Sequence, residues 1–535
     1  MSRLLLAVLL FAASFVFAVE VQAQVEDRYV VFLRDKGGKA GDVAHPEDFL
    51  SDRALARRGR QGIKVDSLDV PVYTMYINRM AETARIVGKS KWLNAVMVGV
   101  AGGDEAVREI EKLDFVVGIQ RVGSYEKEEL ANASADWDLS GDRSDDPCGV
   151  SRPVLSVNGI VSLHDDGFTG QGIMIAVTDD GFCNVDSLQG GWQDRIVCAK
   201  DFVNNADSLV YDIGSHGVRT FACMGADVEG CVMGAAPGAD YVLLRTEYLK
   251  GEQPAEQYYW AFAAEYADSI GADIINVSLG YNLFDDEYPS FTYDDLDASS
   301  PMSRCADIAA TRGMVVVCSA GNEGSNSWKR ITVPSDGVNV LAVGALAANS
   351  NSEKAHYSSI GPSADGRVKP DVAAPGTVHS INRNGVVVSG SGTSFAAPVM
   401  AGGIACLWEA LPEVSAAGMI DIVRRSAGNY GNPDNQLGYG VPDLYKAYLD
   451  NRGVDGLIST CADTARVEGQ SLIIPDSFAS DITTRAVLFD INGRVVMDIH
   501  PKGVNRVSLH NLPKGFYVVE LSSGTSVSRN TLLYE

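Results

Sequence analysis

The sequence predicts an α/β fold: a mostly parallel sheet with helices on both faces, preceded by a small α+β unit and followed by a small β-sandwich. Three observations carry this. Between residues 151 and 455, short apolar runs rich in β-branched residues alternate with helical segments, which implies buried parallel strands covered on both faces. Before residue 150, strand and helix patterns mix on a smaller scale, and after residue 456 only short alternating strands remain. A chain of 535 residues has room for about two to four domains.

Taken in order, Met1-Ser2-Arg3 sets a positive charge ahead of an apolar run at 4–17, and Val21-Gln22-Ala23 is a small-residue cleavage site. This reads as a secretory signal peptide over 1–23, because the run is shorter than the roughly 20 residues a spanning helix needs. No later stretch is long and apolar enough, so no transmembrane segment is expected in the mature form. Residues 24–150 hold strands at 29–33, 92–100 and 115–121, with helices at 52–60 and 104–113. The polar stretch at 126–147 reads as an exposed linker.

In the central unit, 151–455, strands are expected at 173–178, 241–244, 274–278, 314–319, 338–343 and 386–388, and helices at 255–270, 303–312 and 394–411. Ligands of such sheets bind at the carboxyl ends of the strands. Residues 456–535 offer strands at 486–490, 495–499, 507–509, 516–521 and 527–533, with Asn492-Gly493 as a hairpin turn.

The net charge is −25, from 44 basic and 69 acidic residues. Most of the excess lies in the central unit, where acids outnumber bases about two to one. A nucleic-acid partner is not expected, since such a surface repels phosphate and no long Lys/Arg run offsets it. All nine cysteines follow Ala23, in a compartment that permits disulfides. Nine is odd, so at least one has no partner within a monomer. Cys223 and Cys231, or Cys183 and Cys198, are near enough in sequence to pair. Cys318 and Cys406 sit in apolar runs and read as buried thiols.

Three features of the central unit carry chemistry. An apolar strand, Ile175-Ala176-Val177-Thr178, stops on Asp179-Asp180-Gly181; Ser215-His216-Gly217 heads a helix-compatible run; and Gly390-Ser391-Gly392-Thr393-Ser394-Phe395-Ala396-Ala397-Pro398 delivers a serine to a helix start. Each alone has an ordinary reading: an acid ending a strand, a turn, a helix cap. Together, in the order Asp, His, Ser, they make a nucleophile, a base within its reach and an acid that orients the base. A serine at a helix N-terminus also meets free N–H groups and the positive end of the dipole. Asn322, flanked by glycine in Ser319-Ala320-Gly321-Asn322-Glu323-Gly324, offers a second donor to a developing oxyanion.

These segments resemble the signatures of the subtilase family of serine endopeptidases: Asp179-x-Gly181, His216-Gly217, Ala320-Gly321-Asn322 and Gly392-Thr393-Ser394-x-Ala396-x-Pro398. The resemblance implies a subtilisin-like fold acting on protein or peptide substrates, with Asp179 as orienting acid, His216 as general base, Ser394 as nucleophile and Asn322 as oxyanion donor. It also implies that Ser278-Leu279-Gly280 and Ser319-Ala320-Gly321 frame the substrate. Two positions depart from the family. Asp180 stands where Thr, Ser or Ala is usual, and Val218 stands where Thr follows His-Gly. These departures motivate the rival reading of a catalytically silent binding protein, against which the complete set of four residues speaks. An α/β-hydrolase esterase is disfavoured by residue order and by Ala396 where that motif needs glycine.

Leu50-Ser51-Asp52-Arg53-Ala54-Leu55 and Lys91-Trp92-Leu93-Asn94-Ala95-Val96 resemble the N-terminal regions of a bacterial branch of secreted subtilases, which implies a propeptide that inhibits the enzyme until removed. The arginines between 53 and 60 read equally as a solvated helix face. Val487-Leu488-Phe489-Asp490-Ile491-Asn492-Gly493-Arg494-Val495 and Leu512-Pro513-Lys514-Gly515-Phe516-Tyr517-Val518 resemble the C-terminal sorting domain of type IX secretion. That implies handling by the secretion machinery and an extracellular or outer-membrane location, although the usual basic ending is absent. No cofactor is required by this chemistry. The acids at 285–287 and 294–297 would suit at most a structural calcium, and no zinc motif occurs.

Overall fold

The computed structural model describes residues 25–38, 43–130, 143–452 and parts of 466–534. The signal segment, residues 131–142, Cys461 and the Asn492-Gly493 turn lie outside the described residues. Contacts divide the chain into two units, Met1–Tyr448 and Leu449–Glu535.

The first unit opens with an antiparallel sheet in the order β2-β3-β1-β4, made of β1 (Glu26–Leu33), β2 (Arg85–Ser90), β3 (Ala95–Ala101) and β4 (Val116–Tyr125). Side-chain alternation divides its two faces. Val31, Leu33, Val96 and Val98 pack under the helices Thr74–Ala81 and Glu105–Glu111. Val30, Ala95, Met97 and Val122 face the other way, against Tyr258 and Phe262 of the helix Ala255–Ile270. Strand β2 and the helix Thr74–Ala81 were not expected from the sequence, because neither has an apolar repeat strong enough to mark it.

The central sheet has seven strands: β5 (Met174–Asp179), β6 (Ile196–Asp201), β9 (Asp240–Arg245), β10 (Ile274–Val277), β11 (Val315–Ser319), β12 (Leu341–Leu346) and β13 (Val372–Pro375). Their order is β13-β12-β11-β10-β5-β9-β6, and every neighbouring pair is parallel. All six residues of β5 are buried, as a strand covered on both faces requires. Ile175 and Val177 pack toward the helices His216–Gly225 and Thr393–Ala410, and Met174 and Ala176 toward Ala255–Ile270 and Pro301–Thr311. The chain leaves β5 to one side for β6 and β9 and later to the other for β10 to β13. Its carboxyl end is therefore the topological switch point, where doubly wound sheets bind ligands.

The strand expected at 338–343 begins three residues later, because the N–H groups of Val338 and Asn339 are taken by the Asp307 carboxylate. The edge strands β6 and β13 were not expected: β6 is only partly buried and β13 is short and ends in proline. A two-residue ribbon, β7 and β8 (Asp227–Val228, Val232–Met233), and the hairpin β14 and β15 (Thr377–Ile381, Val387–Ser391) complete this unit.

In the second unit, β16 (Arg466–Glu468), β17 (Ser471–Ile473) and β20 (Arg506–Ser508) form one sheet in the order β16-β17-β20. The strands β18 (Arg485–Phe489), β19 (Val495–Ile499), β21 (Gly515–Ser523) and β22 (Ser526–Tyr534) form another, in the order β19-β18-β21-β22. Leu472, Ile474, Ala486, Leu488, Leu509, Val519 and Leu521 make one shared core.

Candidate active site

The four chemical segments meet at the carboxyl edge of the sheet. Asp179 is the last residue of β5, and His216 opens the helix His216–Gly225. The helix Thr393–Ala410 begins one residue before Ser394, and Asn322 lies three residues past the end of β11. Two glycines make this convergence possible by close approach. A Cβ on Gly181 would stand 2.3 Å from the Ile213 carbonyl oxygen, and one on Gly217 would stand 2.9 Å from Asp179 Cβ. The Asp-x-Gly and His-Gly words are thus packing requirements between the end of β5 and the histidine helix.

Asp179 Oδ1 lies 2.7 Å from His216 Nδ1, and its Oδ2 accepts the Thr220 hydroxyl at 2.8 Å. The Asp179 side chain is fully buried, whereas His216 keeps 37% of its own exposed to the cleft. Burial opposes protonation of the imidazole, but the Asp179 carboxylate, backed by Asp180 and Glu247, outweighs it and pushes the group up to about 9. Thr220 also answers the question raised by Val218: that residue is buried in the core, and a hydroxyl reaches the acid from two residues further along.

Ser394 lies close to Asn322. A Cβ on Gly392 would sit 2.9 Å from Ser394 Oγ and 3.7 Å from Asn322 Nδ2. Asn322 Oδ1 accepts the Thr393 N–H at 2.9 Å and the Thr393 hydroxyl at 3.0 Å, so the amide is held with Nδ2 available as donor. The His216 ring is 5.9 Å from that of Phe395, the residue after Ser394.

The two framing segments run side by side at the ends of β10 and β11. Ser319 Oγ donates to the Leu279 carbonyl at 3.0 Å, and Ser278 Oγ donates to the Ser394 carbonyl at 2.8 Å. Gly280 and Gly321 both face Thr332, and a Cβ on either would press on its side chain. Ala320 is held between the Val343 carbonyl and the Thr332 N–H. Beside the site, Glu247 accepts the Tyr281 hydroxyl, while burial and Glu252 push its carboxyl up to about 8. Thr220 and Glu247 carry no mark in the sequence, because single Thr and Glu residues outside a motif are ordinary until the fold aims them.

The 24–150 region packs on the helix Ala255–Ile270. Its arginines between 53 and 60 are not all a solvated face: Arg60 is exposed, but Arg57 and Arg58 are almost fully buried. Arg57 pairs with Asp268 at 2.6 Å, and Arg58 bridges Asp69 at 2.8 Å and Asp268 at 2.7 Å. Glu265 accepts the Ser90 hydroxyl at 2.5 Å and the Lys91 and Trp92 N–H groups at 2.7 and 3.0 Å. The segment after β4 runs toward the site: Leu249 N–H donates to Glu128 at 2.9 Å, and Glu128 also pairs with buried Arg245.

Carboxylates of the acidic loop have protein partners. Asp295 takes the N–H and hydroxyl of Thr292, Glu287 pairs with Arg121, and no group of three metal-ligating side chains occurs among the described residues. The eight cysteines among the described residues are unpaired, so neither pairing suggested by spacing is made; Cys318 and Cys406 are fully buried.

Residues 170–440, just over half of the chain, match the model of the subtilase family. Residues 28–135 match that of the peptidase S8 propeptide domain of Bacteroidota. Subtilisin NAT of Bacillus subtilis subsp. natto is 30% identical over 277 residues, covering 51% of this chain and 64% of that protein. Serine protease AprX of Bacillus subtilis (strain 168) is 28% identical over 309 residues, covering 52% of this chain and 65% of that protein. The chain therefore spans a little under two thirds of the length of these relatives. Among solved structures, MycP1 from Mycobacterium smegmatis is 22% identical, with a TM-score of 0.46, over 60% of this chain and 89% of that one. Through the match over 170–440, this chain belongs to the subtilase family.

Proposed function

We propose that the chain is a serine endopeptidase that cleaves peptide bonds through an acyl-enzyme on Ser394. The observation that carries the reading is the 2.7 Å contact of Asp179 with His216 beside a serine at a helix N-terminus. In this mechanism His216 Nε2 takes the Ser394 proton as Oγ attacks the scissile carbonyl, and Asp179 holds the tautomer and stabilises the imidazolium. Asn322 Nδ2 and the N–H groups at the start of the serine helix receive the oxyanion. His216 then protonates the leaving amine, and water enters by the reverse path to release the acyl group. Ser278-Leu279-Gly280 and Ser319-Ala320-Gly321 line the path of an extended protein or peptide substrate.

Residues 24–150 act as the chain's own inhibitor until removed, and 151–455 form the peptidase unit. Supporting this is the charge buried between them: Arg57, Arg58, Asp268 and Glu265 all regain water when they separate. Residues 1–23 direct export, and 456–535 serve the secretion machinery by sorting the protein to the cell surface or medium. Among the described residues, no helix is long and apolar enough to cross a membrane.

A fluorophosphonate probe tests the catalytic reading. It is expected to label the processed wild type, not Ser394→Ala, and casein turnover is expected to follow the label. Equal labelling of both, or of neither, overturns the reading.

A further inference from the structure

The sequence places two acids at the end of β5, and the orienting role needs only one. Asp180, partly exposed, lies against the first turn of the histidine helix. Its Oδ2 accepts the N–H groups of Ser215 at 3.1 Å and His216 at 3.2 Å, and its Oδ1 accepts that of Gly217 at 2.9 Å. First-turn N–H groups have no partner within a helix and normally bond the N-cap side chain. Here the N-cap, Ser215, makes no such bond, so the cap comes from a residue 35 positions upstream. The fit is close: a Cβ on Gly214 would stand 2.6 Å from Asp180 Oδ1. Asp179 in turn accepts the Asp180 N–H at 2.9 Å, which ties the two acids together.

We propose that Asp180 is a positioning residue for the hydrolysis: its carboxylate clamps the histidine helix to the end of β5 and so holds the His216 ring against Asp179. This rests on the reading of His216 as general base. One acid holds the ring and its neighbour holds the helix that carries it. A Ser or Thr hydroxyl, usual at this position in the family, has one oxygen and cannot take three N–H groups spread over two acceptors. The carboxylate also suits the positive end of the helix dipole. It adds a second negative charge near the imidazole, whose other charged neighbours are Asp179 and Glu247. Desolvation and Asp179 hold the Asp180 carboxyl above its usual range, against the pull of the Gly217 and Ser215 N–H groups and of the His216 charge.

The test compares Asp180→Asn and Asp180→Ala in the full, processed chain. Both are expected to lower kcat about 10- to 100-fold, the scale of a small misplacement of a reacting group. KM is expected to change less than about twofold, since no substrate contact is lost. The rising limb of the pH profile is expected to move to lower pH, because a negative charge beside the imidazole is gone. Should Asp180→Ala fail to fold, the near-isosteric Asp180→Asn carries the test. A second measurement needs no turnover: in the Ser394→Ala chain, the NMR titration of His216 is expected to shift to lower pH on adding Asp180→Asn. Unchanged kcat and pH limb in the folded variants, or an unmoved His216 titration, overturns the proposal. If the wild type fails to label with fluorophosphonate while the titration still shifts, the peptidase reading falls and the clamp stands.

Discussion

Ser278 Oγ donates to the carbonyl of Ser394 at 2.8 Å, at the point in the serine helix where Pro398 has no N–H to give. In a regular helix the amide four residues on would take that carbonyl, and proline removes the donor. The proline of the Gly-Thr-Ser-x-Ala-x-Pro word therefore frees an acceptor on the proposed nucleophile's own residue. A serine from the end of β10 claims it and locks the start of the helix to the sheet.

Ser278→Ala leaves this carbonyl unpaired where both residues are more than nine-tenths buried. A loss of about 1–3 kcal/mol in unfolding free energy is expected, the cost of an orphaned buried acceptor. Denaturant unfolding in the Ser394→Ala background, free of self-digestion, reads it; no loss there means the bond does not anchor the helix.

Thr220→Val removes the hydroxyl on Asp179 Oδ2 while keeping shape. kcat is expected to drop about 10- to 100-fold, the kinetic equivalent of a charge-assisted hydrogen bond, and Thr220→Ser is expected to retain activity. Steady-state kinetics of the pair decide it, since equal loss in both would point to packing instead.

His216, the proposed general base, can take a proton only when neutral, and its imidazole is pushed up to about 9. The raised value favours the protonated form at neutral pH, so kcat/KM is expected to rise with pH through a midpoint near 9 and to level off only above it. Glu247→Gln removes one of the charges that favour the imidazolium and is expected to move the limb to lower pH. A limb that stays near the unperturbed histidine range of about 6.5 in the wild type contradicts this.

Asn322→Ala is expected to cost about 100- to 1,000-fold in kcat, as loss of one oxyanion donor does, with KM nearly unchanged. Burst kinetics with a chromogenic ester locate the loss, which belongs to acylation and deacylation alike.

Arg58→Ala removes the two-pronged partner of buried Asp69 and one of the cations on buried Asp268, which keeps Arg57 and Lys91; the two carboxylates lie one on each side of the contact between the 24–150 region and the helix Ala255–Ile270. Breaking a buried pair typically costs about 3–5 kcal/mol. In the unprocessed Ser394→Ala chain, this variant is expected to unfold at lower denaturant than its parent and to lose protection from added protease at residues 24–130.

The legible part of the fold was its alternation. Buried strands such as Met174–Asp179 and long helices such as Ala255–Ile270 and Thr393–Ala410 announce themselves by period and length. Edge elements such as β6 and β2 did not, because half-exposed strands lack a continuous apolar run. At the site, Asp179, His216, Asn322 and Ser394 were legible because close backbone approach requires glycine beside them, and glycine leaves a mark.

What the sequence determined by itself, then, was the alternation of strand and helix in the central unit and the four side chains proposed to act, since both rest on local pattern. Only the tertiary structure decided their supports. Asp180 caps a helix 35 residues away, Ser278 bonds a residue 116 positions on, and Arg57 finds Asp268 at a separation of 211. A hydrogen-bond or ion-pair partner at such distances is chosen by how strands and helices stack in space, and no spacing along the chain records that choice.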